Sequence, residues 1–152
     1  MKFEKFLKGC GTHGEVIERE NGEKWLVCGG VGMVIPKGVD TLLGKEWDKD
    51  YGSIVDVIAD AEYDDPLTLK EAVILNPRGN ASSIYRVFET DLGETVGIIN
   101  SDFGLLEKSD LLGYGEIELP EEGDEEARIV KYVLIYEPNG TIQGFITGSD
   151  KF

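Results

Sequence analysis

Three times in this chain a run of β-forming residues breaks at a three-residue loop ending in glycine and then resumes: "EVIER-ENG-EKWLVC", "IYRVFET-DLG-ETVGIIN" and "RIVKYVLIYE-PNG-TIQGFIT". Such a loop is a type I turn followed by a left-handed residue, a place where glycine has no Cβ to clash. It reverses the chain and decides which residues face each other, so antiparallel sheet is expected to dominate. In the first hairpin a two-residue turn on Asn21-Gly22 competes. That turn would set Arg19 against Lys24 and Glu20 against Glu23, two repulsive pairs. The loop Glu20-Asn21-Gly22 instead pairs Arg19 with Glu23, Glu18 with Lys24 and Ile17 with Trp25. Charge favours the longer loop. The hairpins are irregularly spaced and share no motif, so they do not form a repeat.

Helical periodicity is scarcer. Residues 2–8 place Phe3, Phe6 and Leu7 on one side and Lys2, Lys5 and Lys8 on the other. Ser53-x-x-Asp56 resembles a capping box, and Ile54, Val55, Ile58 and Ala61 follow on one stripe until Pro66 bars continuation. Helical turns are expected over 39–46 and 102–108, and strands near 31–36, 71–76 and 114–119. The segment "PEEGDEEAR", 120–128, is expected to be a mobile acidic connection. These elements predict one α+β domain over residues 1–152, mainly antiparallel sheet built of hairpins with two to four short helices packed on it.

At 152 residues the chain is long enough to bury roughly 70% of its unfolded surface without staples. No apolar run approaches the ~20 residues that span a bilayer, and "MKFEKFLKG" lacks the apolar core of a signal peptide. A cytoplasmic location with no membrane contact is the expectation. The glycosylation sequons at Asn80 and Asn139 carry no meaning there. The net charge is −15 and uneven: residues 1–50 hold eight Lys/Arg against nine Asp/Glu, and residues 51–152 hold seven against twenty-one. Such a field repels nucleic acid and anionic membranes and attracts basic partners. Its plainest use is solubility.

Most apparent motifs fail on spacing. Gly30-x-Gly32 in "CGGVGMVIPKG" leads into a strand rather than opening a helix, so it is no dinucleotide fingerprint. "GVDTLLGKE" has five residues between Gly38 and Gly44, where a P-loop has four, and Glu46 stands where the magnesium hydroxyl belongs. These glycines read as strand-end flexibility. From Asp48, a calcium loop would need ligands where Gly52 and Ala59 stand. Asp102-Phe103-Gly104 matches a kinase tripeptide without its partner motifs. The lone basic cluster, Lys2, Lys5 and Lys8, has no aromatic interleaving, so nucleic-acid binding is not expected. No cofactor is implied.

Cys10, His13 and Cys28 form the one constellation with possible chemistry. Cys-x2-His is half a zinc site and Cys28 offers a third ligand, but no fourth is in view. A Cys–His nucleophile pair is the other option, because His13 is the sole histidine. The plainer reading is two reduced thiols beside a loop histidine, since nothing in the chosen register forces Cys10 and Cys28 together.

The last hairpin is the most informative segment. With loop Pro138-Asn139-Gly140, Tyr136 opposes Ile142, Leu134 opposes Gly144 and Tyr132 opposes Ile146. That face, extended by Val130, is core. The other face carries Val133, Ile135 and Phe145 clustered within a polar rim. Either a helix over residues 54–62 covers them, or they form the interface with a protein partner or a second copy.

In size, acidity and style the whole chain resembles the small uncharacterised single-domain proteins of phages and prophages. That resemblance rests on no diagnostic motif and implies no activity or residue role. The function expected is that of a non-catalytic interaction or accessory protein acting through protein–protein contacts. One alternative is a DNA mimic whose acids occupy a basic protein's DNA site. The other is a small thiol or metal protein using Cys10, His13 and Cys28.

Overall fold

Each glycine-ended loop closes its hairpin. In the first, Glu18 pairs with Lys24 and Ile17 with Trp25, the Arg19 amide bonds the Glu23 carbonyl at 2.8 Å, and Gly22 takes φ +84°. The Asn21 side chain locks the turn by accepting from the Glu23 amide at 2.9 Å. Asn139 does the same for Thr141 in the last hairpin, also at 2.9 Å. In the middle hairpin Thr90 supplies the oxygen, accepting from the Glu94 amide at 3.1 Å.

The computed structural model describes residues 1–11, 13–39, 55–60, 66, 68–74, 84–119, 123 and 126–149. Its elements are α1 (Phe3–Cys10), β1 (Glu15–Glu18), β2 (Lys24–Cys28), β3 (Val31–Val34), α2 (55–59), β4 (Thr68–Ile74), β5 (Ile84–Glu89), β6 (Thr95–Ile99), α3 (Asn100–Phe103), β7 (Leu111–Leu119), β8 (Arg128–Tyr136) and β9 (Ile142–Thr147). The strands form a six-stranded sheet in the order β1-β2-β3-β9-β8-β7 and a three-stranded sheet in the order β4-β5-β6. Every pairing is antiparallel. The α+β class expected from the hairpins is therefore the architecture found. The turn expected over 102–108 begins earlier, as the short helix α3. The turn expected over 39–46 and most of the acidic connection 120–128 lie outside the described residues.

Two features correct the sequence reading. Gly29 and Gly30, at φ +60° and +80°, make a tight two-residue turn that pairs Cys28 with Val31. A fourth hairpin thus stands where strand-end flexibility was expected. Gly30 is also anchored to the last strand, since the Thr147 amide and hydroxyl both donate to its carbonyl, at 2.9 and 2.7 Å.

The second correction is in β8–β9. Tyr136 does oppose Ile142, but a bulge follows and Gln143 is the extra residue. Beyond it Ile135 opposes Gly144, Leu134 opposes Phe145, Val133 opposes Ile146 and Tyr132 opposes Thr147. Because side chains alternate, that one-residue slip sends Phe145 to the face of Tyr132 and Leu134, away from Val133 and Ile135.

Both faces at the centre of the large sheet are consequently buried. On one face α1 and the β5–β6 hairpin cover Leu26, Met33, Val133, Ile135 and Ile146 with Phe6, Cys10, Phe88, Val96 and Ile98. On the other face Val55 and Ile58 of α2 close over Ile17, Trp25, Val27, Tyr132, Leu134 and Phe145. The small sheet is tied to the large one past the end of β9, where the Ser149 amide donates to the Gly97 carbonyl at 2.7 Å. Helix α1 is docked by lysines at its start: Lys2, just before it, and Lys5 both donate to the Gly104 carbonyl just after α3, at 3.3 and 3.2 Å. Two members of the only basic cluster are thereby engaged within the fold.

Candidate functional site

Cys10 ends α1, fully inside the core, and Cys28 ends β2, half-buried against the same cluster. The structure places Cys28 against the cluster that holds Cys10, a proximity that the hairpin register alone did not require. The reason is Gly14. It stands one position beyond the Glu15–Val27 pair, opposite Cys28, and a Cβ there would lie 3.1 Å from the Cys10 Cβ and 3.6 Å from its sulfur. With no side chain at position 14, the end of α1 packs over the strand beside the cluster that Cys28 borders. Burial above all, then the charge and hydrogen bond of Cys28, pushes the Cys10 thiol up from 9.0 to about 12. His13 does not complete a metal site. Its side chain is exposed, and only its amide engages Cys10, donating to the carbonyl at 2.9 Å. Among the described residues no group of three or more His, Cys, Asp or Glu side chains is placed to hold a metal ion.

Val133, Ile135 and Phe145, expected to share one outward face, do not. Val133 and Ile135 are fully buried on the α1 side, while Phe145, 5% exposed, lies on the α2 side. There its ring stacks on Trp25 with centroids 6.1 Å apart and lies across Gly32 of the neighbouring strand. A Cβ on Gly32 would overlap that ring, so the bare backbone is what admits Phe145. Gly115 receives the Tyr132 ring in the same way on the far side of β8. Of the two covers the sequence allowed for Phe145, the helix of the same chain supplies one, through Val55 and Ile58.

Helix α2 is held by a charge cluster that only partly shows in the sequence. Arg19, 12% exposed, donates from Nε to Asp56 at 2.7 Å, from Nη2 to Asp60 at 2.7 Å and from Nη1 to Glu23 at 3.1 Å. The Trp25 indole N–H donates to the same Glu23 oxygen at 2.8 Å. The Asp56 hydrogen bond above all, with Asp60 and Glu23 and against the cost of burial, makes Arg19 hold its proton more tightly than an ordinary arginine. The Arg19–Glu23 pair follows from the hairpin register. Asp56 and Asp60 share a helix face by their spacing of four, but nothing in the sequence says which cation meets them.

The kinase-like tripeptide is structural: Phe103 packs on Phe88 and lies under the Arg86 guanidinium, 4.9 Å from the ring centroid, while burial raises the Asp102 carboxyl. A cleft of about 440 Å³ lies between Glu107, Ser109, Asp110, Glu137, Pro138, Asn139 and Gln143. The Met1 amino group engages two of its lining residues, donating to Asp110 at 2.9 Å and to Gln143 at 2.8 Å.

At the opposite end of β8 the surface is different. Leu92, at the β5–β6 hairpin tip, is 85% exposed and Ile129, beginning β8, is 65% exposed. They belong to one end of the molecule, because Lys131, two residues from Ile129, donates to the Thr95 carbonyl at 3.1 Å and lies 3.9 Å from Glu94. Exposed acids surround them: Asp91 and Glu94 flank Leu92, Glu118 pairs across the strand with Ile129, and Glu116 pairs with Lys131. Tyr114 donates to Glu116 at 2.6 Å, and its phenol is raised well above the usual range, by burial first and then by Glu116 and Glu94. Sequence patterning did not single out Leu92 or Ile129, since each is one exposed apolar residue at the edge of an element. The DNA-mimic reading turns on the acids of 56–65 and 116–126, more than half of which lie outside the described residues.

No protein family, curated protein or solved structure matches this chain. No helix among the described residues is long and apolar enough to cross a membrane.

Proposed function

We propose that the chain is a non-catalytic interaction or accessory protein that works through protein–protein contacts, and that its partner presents a basic, partly apolar surface. One observation supports this most: exposed Leu92 and Ile129 sit at one end of the molecule within a set of exposed carboxylates, in the part of the chain, residues 51–152, that carries a balance of −14. An isolated exposed leucine means little. Two large apolar groups among like charges form a surface on which charge steers an encounter and apolar contact holds it. Val133, Ile135 and Phe145 enter this reading as the buried support beneath, because a folded chain offers none of them to a partner.

The test is a titration of isotope-labelled protein with an amphipathic lysine–leucine peptide, followed by amide chemical shifts at low and at ~0.15 M salt. Expected are shifts centred on residues 91–94, 116–118 and 128–131, and binding at least ~10-fold weaker for Leu92→Asp combined with Ile129→Asp. Binding that vanishes with salt and ignores the double variant would reduce the surface to general charge attraction.

A further inference from the structure

We propose that Cys10 and Cys28 are an oxidation site: a peroxide converts the pair to an intramolecular disulfide that staples the end of α1 to the end of β2. The proposal is independent of the contact surface above. It rests on placement. Cys10 lies in one core cluster and Cys28 packs against it, and Gly14, opposite Cys28 by the β1–β2 register, has its Cβ position 3.6 Å from the Cys10 sulfur. A disulfide needs the sulfurs at about 2.0 Å. Side-chain rotation must supply that closure, and no side chain at position 14 stands in its way.

The chemistry assigns the two thiols different tasks. Cys28, half-exposed, is the one a small peroxide reaches. Its thiolate attacks one peroxide oxygen, the O–O bond breaks, and with one proton the products are a Cys28 sulfenic acid and water. Cys10 then gives up its proton and attacks the Cys28 sulfur. The S–O bond breaks and a second water leaves. Two thiols lose two electrons in total and the peroxide takes them. A dithiol reductant reverses the bond by exchange. Burial makes Cys10 hold its proton firmly, so its attack is expected to be faster at higher pH.

The bond would close the segment between residues 10 and 28, which holds the whole first hairpin. A loop of that length is expected to raise the melting temperature by roughly 5–10 °C, to the extent that the native geometry accepts the bond without strain.

The experiment treats the folded full-length protein with stoichiometric hydrogen peroxide. Expected is a mass lower by about 2 Da, both thiols lost to a thiol reagent in denaturant, and restoration of both by dithiothreitol. Trypsin should then release peptides 9–19 and 25–37 as one linked species. Oxygen adducts on cysteine without that link would overturn the proposal, as would two thiols still free or a dimer joined through Cys28. Two variants guard against a trivial failure. Cys28→Ser should leave the buried Cys10 unmodified under the same treatment. Cys10→Ser should stop Cys28 at oxygen adducts or an intermolecular bond. Rapid oxidation of Cys10 in Cys28→Ser would show that the order of attack, and hence the proposed pairing, is wrong.

Discussion

On the α1 side of the six-stranded sheet the cover is broad: α1, the β5–β6 hairpin and Leu105 spread over Leu26, Met33, Val133, Ile135 and Ile146. On the α2 side the cover among the described residues is narrow and aromatic, with Val55 and Ile58 of α2 resting on Trp25, Tyr132, Leu134 and Phe145. The first face gathers its stabilisation from many side chains of moderate size. The second concentrates it in a few rings seated over glycines and in one arginine that ties the helix down. A sheet buried twice in this way has no spare apolar face for a partner. The most exposed large apolar side chains among the described residues, Leu92 and Ile129, lie at tips and edges instead.

Neighbouring residues on β9 probe the two faces directly, since Phe145 points to the α2 side and Ile146 to the α1 side. Phe145→Asp removes the ring and leaves an unpaired carboxylate inside, a loss of ~5 kcal/mol or more that should abolish the folded state in thermal and urea unfolding. Ile146→Ala should cost ~2–4 kcal/mol and remain folded. A folded Phe145→Asp protein whose only change is its oligomeric state by gel filtration would instead make Phe145 an interface residue. The narrow core of the α2 side would then be no core.

The glycine seat gives a smaller and sharper effect. Gly32→Ala places a methyl where the Phe145 ring lies, for an expected ~1–3 kcal/mol in urea unfolding. In a Phe145→Leu background the same substitution should cost less, with a coupling above ~0.5 kcal/mol. Additive costs would mean that the ring shifts freely and that the seat does not specify its position.

The same contrast explains what could be read from the sequence. The β1–β2 register was legible because two charge pairs, Arg19–Glu23 and Glu18–Lys24, penalise any slip. In β8–β9 only the pair beside the turn, Tyr136–Ile142, was legible. There both faces of the strands are apolar, so alternation has nothing to distinguish and a one-residue bulge at Gln143 goes unsignalled. Apolar density rightly marked Val133, Ile135 and Phe145 as covered by something. Which face each chose depended on that bulge, and the α1-side cover comes from β5–β6, far off in the chain. The meeting of Cys10 with Cys28 was equally hidden, because it turns on how α1 leans across Gly14. The pairing of β3 with β9 is a long-range contact that no local signal carries.

Arg19→Met tests the clamp. The methionine keeps much of the apolar stem and deletes the cation that holds Asp56 and Asp60. Both carboxylates are well exposed, so each lost ion pair counts as a surface one and the total is expected to be ~1–2 kcal/mol. The loss should shrink in high salt, where wild type is weakened and the variant is not. Amide exchange in 55–59 should speed up while that in α1 stays unchanged. Equal acceleration in both helices would show that the two faces fail together and that Arg19 is no local tie.

The smallest effect at neutral pH is expected on the α1 side, from Cys10→Ala, at ~1 kcal/mol. Its interest lies in alkaline solution. A free thiol of ordinary pKa, 9.0, loses its proton on unfolding, whereas folded Cys10 keeps its proton up to about 12. Between those values the unfolded state has released a proton that the folded state still binds, so each rise in pH favours unfolding. The stability that Cys10 contributes is therefore fully present below pH 9 and is lost progressively towards 12. Other groups titrate in the same window, but they are common to wild type and variant and cancel in the difference. Urea unfolding at pH 8, 9, 10 and 10.5 should show the advantage of wild type over Cys10→Ala shrinking steadily and then reversing. Cys28→Ala should flatten that decline in part, because Cys28 adds its charge and hydrogen bond to a shift that burial dominates. Parallel curves for wild type and Cys10→Ala would mean that water reaches the Cys10 sulfur, and the α1-side cover would then be no tighter at its edge than the α2 side.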